Sequence, residues 1–294
     1  MKVLITGANG QLGQELVRQA PAADFIVHGF TRPQLDITDE NRVHQVFKRF
    51  SPSVVINAAA YTRVDQAEDE SDLAFAVNKK GPAYLARYCA DNGLALIHIS
   101  TDYVFDGTKG RPYLEDDPIA PLGIYGQSKA QGESIIRSTL PEHVILRTSW
   151  LYGVYGQNFV KTILRLAAEK TEMQVVADQF GSPTSAADLA KAVLIIAGKI
   201  AMAGKIPWGT YHYCGKGITT WHGLAEKIIE LAAPYSELKV RQVAPITTAQ
   251  WPTPVKRPPY SALDCTRLES QFGIVRERWQ RSLKQTIERI FCKC

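Results

Sequence analysis

Cysteine is scarce in this chain of 294 residues, and what there is comes in an odd number: Cys89, Cys214, Cys265, Cys292 and Cys294. These scattered spacings exclude a disulfide framework and give no zinc-ligand pattern. Reduced thiols and a cytoplasmic location are therefore expected. Long apolar runs are also missing. The longest, Leu189 to Ala197, is broken by Lys191 and falls far short of the roughly 20 residues that span a bilayer. Met1-Lys2 leads straight into Val3-Leu4-Ile5 and is stopped by Gly7, so no secretory leader is expected. Charge of one sign is not in large excess: the net charge is +5, and residues 276–294 supply +4 of it. Leu283, Ile287, Ile290 and Phe291 interleave with those cations at helical spacing. That segment reads as the solvated face of an amphipathic helix and not as a nucleic-acid site. The Cys292-Lys293-Cys294 end reads as a frayed tail.

What is present is an ordinary globular composition, 45% hydrophobic and 21% charged, in a chain long enough for one large domain or two modest ones. Short apolar runs at Lys2–Thr6, Phe25–Phe30, Val54–Ile56, Leu94–Ile99 and Val144–Leu146 alternate with helical stripes at Gln11–Gln19, residues 43–50, Pro82–Asp91 and Gln127–Ser138. Such alternation predicts a doubly wound α/β fold, a parallel sheet with helices on both faces. Beyond residue 150 the order loosens. Helices are expected at Phe159–Glu169, Ala186–Ala197 and Trp221–Ala233, and a strand at Met173–Ala177. Pro245–Pro259, with five of the sixteen prolines, reads as an irregular loop. The expected organisation is a dinucleotide-binding domain over residues 1–150, joined by about 178–200, with 151–294 mainly a smaller α/β substrate lobe.

Two motifs carry chemistry. Thr6-Gly7-Ala8-Asn9-Gly10-Gln11-Leu12-Gly13 follows the first strand and opens the first helix. Three glycines there serve a sharp turn, a close backbone approach to a pyrophosphate and tight helix packing, and the helix N-terminus offers free N–H groups to the phosphates. The spacing Gly-x-x-Gly-x-x-Gly differs from the commoner Gly-x-Gly-x-x-Gly. No acid stands at the end of the second strand, Gly29-Phe30-Thr31-Arg32, where an NAD-selective site holds the ribose hydroxyls. Arg32 offers a partner for a 2′-phosphate instead. NADPH is the expected cofactor, with NADH tolerated. The second motif is Tyr125-Gly126-Gln127-Ser128-Lys129, which sets a phenol and an ammonium on one helix face. An ammonium stabilises the phenolate left when the tyrosine protonates a carbonyl. Ser100 and Thr101 follow the fourth apolar run, Leu94–Ile99, at a strand's carboxyl end, where a hydroxyl can orient that carbonyl.

Together these motifs resemble the extended short-chain dehydrogenase/reductases. Ser100-Thr101-Asp102-Tyr103-Val104-Phe105, Arg147-Thr148-Ser149-Trp150 and Asp178-Gln179-Phe180-Gly181-Ser182-Pro183-Thr184 narrow the resemblance, over essentially the whole chain, to the dTDP-4-dehydrorhamnose reductase family. The resemblance implies catalytic roles for Thr101, Tyr125 and Lys129. It implies cofactor contacts at Gly7, Asn9, Gly10, Gln11, Leu12, Gly13, Arg32, Asp36, Ile37, Ala58, Ala59, Ala60, Thr62, Tyr125 and Lys129. Contacts with a dTDP-linked 4-keto-6-deoxyhexose are implied at Val64, Asp65, Thr101, Asp102, Tyr103, Trp150, Asn158, Phe159, Arg257 and Ser261. Trp221 reads equally as a stacking platform or as core, and Arg257 as a diphosphate clamp or a surface arginine.

Some members of that family bridge a dimer through magnesium held by carboxylates. Glu15 matches one such position, but Ala187 and Arg289 stand at the others, beside Asp188 and Glu288. No metal is expected here, and a homodimer of another kind stays open. The alternatives are a reductase of another nucleotide-linked 4-ketosugar, and an epimerase or dehydratase that recycles bound NAD. A third is a non-catalytic subunit like the regulatory subunit of methionine adenosyltransferase, which the intact Thr101, Tyr125 and Lys129 argue against.

Overall fold

The computed structural model describes residues 1–202 and 206–292. Six parallel strands form its centre: β1 (Lys2–Thr6), β2 (Ile26–Phe30), β3 (Val54–Asn57), β4 (Ala95–Thr101), β5 (His143–Thr148) and β7 (Gly209–His212). Their order across the sheet is β7-β5-β4-β3-β1-β2. The chain winds one way from β1 to β2 and the other way from β3 onward. The reversal between β1 and β3 opens a crevice at the carboxyl ends of the strands, where open α/β sheets hold their ligands.

Strand alternation sorts side chains onto two faces. Val3, Ile5, Val54, Ile56, Ile97, Val144 and Leu146 pack under α1 (Gln11–Gln19), α6 (Ala186–Ala201) and α8 (Thr266–Phe272). Leu4, Val55, Leu96 and Ile145 pack under α2 (Glu40–Phe50), α3 (Gly81–Asp91) and α4 (Ile124–Thr139). A separate apolar cluster builds the second lobe from α5 (Phe159–Glu169), β6 (Glu172–Val176), α7 (Trp221–Ala232) and α9 (Trp279–Phe291). β6 pairs in parallel with β8 (Gln242–Ile246).

Three local readings change. Pro245 belongs to β8 opposite Val175, and a 3₁₀ turn at Thr248–Gln250 follows. The proline is tolerated because β8 is an edge strand in a two-stranded sheet. The sheet also draws more from the second half than residues 178–200, because β7 and α8 pack with it. Polar, glycine-led Gly209–His212 gives no strand pattern of its own and is placed by β5. A helical turn at Ser71–Phe75 runs through a π-helical segment, Ala76–Lys80, into α3. The extra residue per turn shifts its apolar period, which hides it from a 3.6-residue template.

The terminal helix α9 buries Leu283 and Ile287 in the second lobe. Its cations find internal partners, Arg281 on Glu277 at 3.1 Å and Arg289 on Glu15 at 2.8 Å. Of the tail expected to fray, residues 293 and 294 lie outside the described residues. Cys89, Cys214 and Cys265 are buried free thiols and Cys292 is exposed. No helix among the described residues is long and apolar enough to cross a membrane.

Helix α4 docks on the sheet through a buried ion pair. Arg147 of β5 meets Glu133 through two charge-assisted bonds, of 2.9 and 2.7 Å, and burial opposed by the arginine leaves the carboxyl below its ordinary range. Glu133→Ala strands the Arg147 charge in the interior. It is expected to cost about 3–5 kcal/mol, read as a lower urea midpoint at unchanged slope; a loss below about 1 kcal/mol would contradict this docking role.

Candidate active site

Gly7 turns β1 into α1. Its φ is +68°, and a Cβ there would lie 2.6 Å from the Ala59 nitrogen, so only glycine fits. Gly10 then caps α1 in extended conformation with no side-chain cap. Nothing but the Gly7 carbonyl, at 3.3 Å, crowds the position of a Cβ on Gly10. The first turn of α1 carries no acid, and Gly10, Gln11 and Leu12 line a cavity. This cradle fits a pyrophosphate. Gly13 is buried against the loop itself, where a Cβ would sit 2.2 Å from the Gly7 carbonyl oxygen.

Three cavities join along the carboxyl edge of the sheet. The first, of about 380 Å³, is lined by Gly7, Asn9, Gly10, Arg32, Asp36, Ile37, Ala58, Ala59, Ala60 and Thr62. Arg32, largely exposed, pairs with Asp36 at 3.1 Å. The second, of about 580 Å³, shares Gly10, Ala58, Ala60 and Thr62 with it and adds Gln11, Leu12, Thr101, Asp102, Tyr125, Lys129, Trp150 and Asn158. The third, of about 500 Å³, meets the second at Val64, Tyr103 and Trp221. It runs on between Phe159, Met173, Val175, Ile246, Trp251 and Arg257.

The middle chamber concentrates the chemistry. Thr101 ends β4, lines the chamber with Tyr125 and donates to Asp102 Oδ1 at 3.1 Å. Ser100, its neighbour, is buried, and its hydroxyl has no hydrogen-bond partner among the described residues. Burial raises the Tyr125 phenol above its ordinary range, Asp102 and Tyr103 add to this, and Thr101 opposes it. Asp102 is pushed up to about 6 by burial, opposed by its polar neighbours Ser261 and Thr101. Lys129 is fully buried; burial lowers its ammonium to about 8, with Glu133 acting the other way. Its Nζ donates to the Ile99 carbonyl at 2.6 Å and stands 3.2 Å from His98 Nε2. Lys129 is therefore engaged by β4, and not by the phenol four residues before it.

Trp150 follows β5 in the left-handed region, φ 47°, which a bulky residue adopts only when its surroundings hold it there. Trp221 stacks on it at 3.6 Å with planes 7° apart. Beneath it Gly181 has no side chain; a Cβ there would fall 2.4 Å from the indole. Phe159 leans on Trp221 at 4.6 Å. Trp221 is thus a wall shared by two cavities as well as part of the second lobe's packing. Asn158 caps α5 and donates to Gln11 Oε1 at 3.0 Å, tying that lobe to the glycine loop. Arg257, mostly buried, is held by Asp65 at 2.6 Å and donates to the Tyr103 hydroxyl at 3.3 Å.

Ser261 differs from the expectation. It is 3% exposed and lines none of the three cavities. Gly13 likewise shapes the loop from within. Sequence reasoning did not find Met173, Val175, Ile246 or Trp251. Trp251, 57% exposed in a proline-rich stretch, was the available signal. Glu15 does not fit a magnesium site. Its carboxylate is closed by Arg18 at 2.7 Å, Gln19 at 3.1 Å and Arg289 at 2.8 Å. Asp188 is bonded to Ser282, and no group of three potential ligands occurs among the described residues.

The family model described as the RmlD substrate binding domain matches residues 1–292. A dTDP-4-dehydrorhamnose reductase of Aggregatibacter actinomycetemcomitans is 45% identical over 285 residues, covering 96% of this chain and 97% of that one. The dTDP-4-dehydrorhamnose reductase of Clostridium acetobutylicum superposes with a TM-score of 0.91 at 41% identity, over 98% of this chain and 99% of the other. That of Bacillus anthracis, solved in complex with NADP, does so at 0.88 and 40%, over 100% and 99%. With the cavities, the glycine loop and the Thr101, Tyr125 and Lys129 cluster in one groove, this chain belongs to the dTDP-4-dehydrorhamnose reductase family.

Proposed function

We propose that this chain reduces the 4-keto group of dTDP-4-dehydro-6-deoxy-L-mannose, giving dTDP-L-rhamnose, with NADPH as cofactor. The observation that carries this reading is the continuity of the groove, from the glycine loop through the Thr101–Tyr125–Lys129 chamber into the apolar third cavity. Residues 1–150, with 178–200, β7 and α8, form the cofactor side, and the rest of 151–294 forms the sugar-nucleotide side.

The dinucleotide supplies the hydride when bound. The chain's own residues do the rest. The α1 N-terminus and Gly10 receive the pyrophosphate, and Arg32 exchanges part of its contact with Asp36 for the 2′-phosphate. Thr101 turns its hydroxyl from Asp102 to donate a hydrogen bond to the keto oxygen, and Tyr125 delivers the proton to it. A positively charged Lys129 stabilises the phenolate that remains. Stacked Trp150 and Trp221 exclude water and set the face of the sugar. Arg257 leaves Asp65 to clamp the diphosphate. The base enters between Phe159, Met173, Val175 and Trp251.

Two outcomes are expected. With the ketosugar made in situ, NADPH absorbance decays with wild-type protein. In Tyr125→Phe, turnover falls by about 10²–10⁴-fold while NADPH binding, read by fluorescence titration, persists. Wild-type turnover in Tyr125→Phe would remove the phenol from the proton-donor role. Absence of decay in cofactor-binding wild-type protein would redirect the assignment to another 4-ketosugar. Arg32→Ala is expected to raise KM for NADPH by about tenfold and leave that for NADH in place; an unchanged NADPH/NADH ratio would contradict the 2′-phosphate contact.

A further inference from the structure

Three buried polar residues lie side by side across the sheet. Thr6 of β1 is in register with Asn57 of β3, and Asn57 with His98 of β4. None of the three is exposed. They form one hydrogen-bonded row whose far end is Lys129. Thr6 Oγ1 donates to Asn57 Oδ1 at 2.6 Å. Asn57 Nδ2 lies 2.9 Å from His98 Nδ1. His98 Nε2 lies 3.2 Å from Lys129 Nζ.

The direction of this row is fixed at its middle. Asn57 Oδ1 also accepts the backbone N–H of Ala59, at 3.2 Å. Turning the amide over would set its NH₂ against that N–H, two donors facing each other. Asn57 therefore presents Nδ2 to the imidazole, and His98 Nδ1 must accept. A neutral imidazole carries one proton, so here the proton sits on Nε2, pointing at Lys129. A primary ammonium has no lone pair to receive it; a neutral amine has one. The amine form satisfies both contacts, receiving His98 Nε2–H and donating to the Ile99 carbonyl at 2.6 Å.

We propose that His98 is a positioning residue: the row Thr6–Asn57–His98 turns an N–H toward Lys129 and biases that side chain to the neutral amine in the cofactor-free enzyme. The proposal builds on the reductase reading for its kinetic consequence but not for its structural one. The Lys129 ammonium already lies near 8 through burial. His98 itself is held neutral, because burial, then Lys129 and His143, lower it. The other charged and titratable groups around Lys129 are accounted for. On its own helix Glu133 favours the ammonium but is shared with Arg147 at 2.7 Å and Arg137 at 3.0 Å. Tyr125 lies on the same helix, and Asp102, after β4, acts on that phenol. The ammonium is the form that stabilises a phenolate, so activity is lost as pH rises through the Lys129 titration. The row sets where that loss occurs.

Asn57→Asp tests this. The carboxylate keeps an acceptor for Thr6 and Ala59 and turns its second oxygen to His98 Nδ1. The imidazole proton moves to Nδ1, and Nε2 offers its lone pair to the ammonium. The basic limb of kcat/KM is expected to move up by about one pH unit. Long-range ¹H–¹⁵N spectra, with His98 assigned by its loss in His98→Gln, are expected to show Nε2–H in wild-type protein and Nδ1–H in Asn57→Asp. The spectra of wild-type protein need neither activity nor the variant to fold. A wild-type Nδ1–H tautomer overturns the proposal. So does a limb that moves while the tautomer stays, since the added charge alone would then explain the shift, and so does an unmoved limb in folded Asn57→Asp. Failure of the reductase reading shows separately, as wild-type protein without turnover but with Nε2–H.

Discussion

Burial of a single lysine at the carboxyl end of the central sheet governs much of this structure. Lys129 is sealed under α4, and removing an ammonium from water is costly unless polar groups receive it. The Ile99 carbonyl and the nearby Glu133 act that way, while the His98 ring at 3.2 Å turns an N–H toward the same nitrogen and favours the amine. Each in turn needs its own support. Glu133 is balanced by Arg147 across the helix–sheet contact, and His98 by Asn57 and Thr6 across two strands. The helix must also come close. On α4, Gly126 and Gly132 face the Tyr103 and Asn78 carbonyls, where a Cβ would lie 2.2 and 2.1 Å away. The Gly132 contact seats the helix against the π-helical segment Ala76–Lys80.

The second lobe is fitted to this centre by a few contacts. Asn158 reaches Gln11 in the glycine loop. Trp150, held with positive φ over Gly181, stacks on Trp221 from α7. A reductase must bring a dinucleotide and a nucleotide sugar together in one water-poor space. Here the sheet supplies one wall and the lobe the other. The Arg289–Glu15 pair joins α9 to α1 through a guanidinium.

The parts of the site that lie close together in sequence were readable. The glycine loop spans eight residues and Tyr125 and Lys129 sit four apart, so local geometry alone sets their relations. Thr101 was readable because strand ends are. The Thr6–Asn57–His98 row was not, since its members are separated by 51 and 41 residues and meet only through strand register. The third cavity was hidden for the same reason: its wall is shared among α5, β6 and the 245–259 stretch, with Trp221 from α7, segments far apart in sequence. Ser261 is buried and lines none of the three cavities. A sequence motif identifies a block, but not which of its side chains reaches the cavity.

Direct transfer of hydrogen between the two ends of the groove is the central claim. NADPH carrying deuterium at C4 of the nicotinamide, on the transferred face, should be turned over with dTDP-4-dehydro-6-deoxy-L-mannose and the product read by NMR. Deuterium at C4 of a hexose with the L-rhamno configuration is the result predicted. Oxidised cofactor with unlabelled sugar, or label in a sugar of another configuration, would contradict the account.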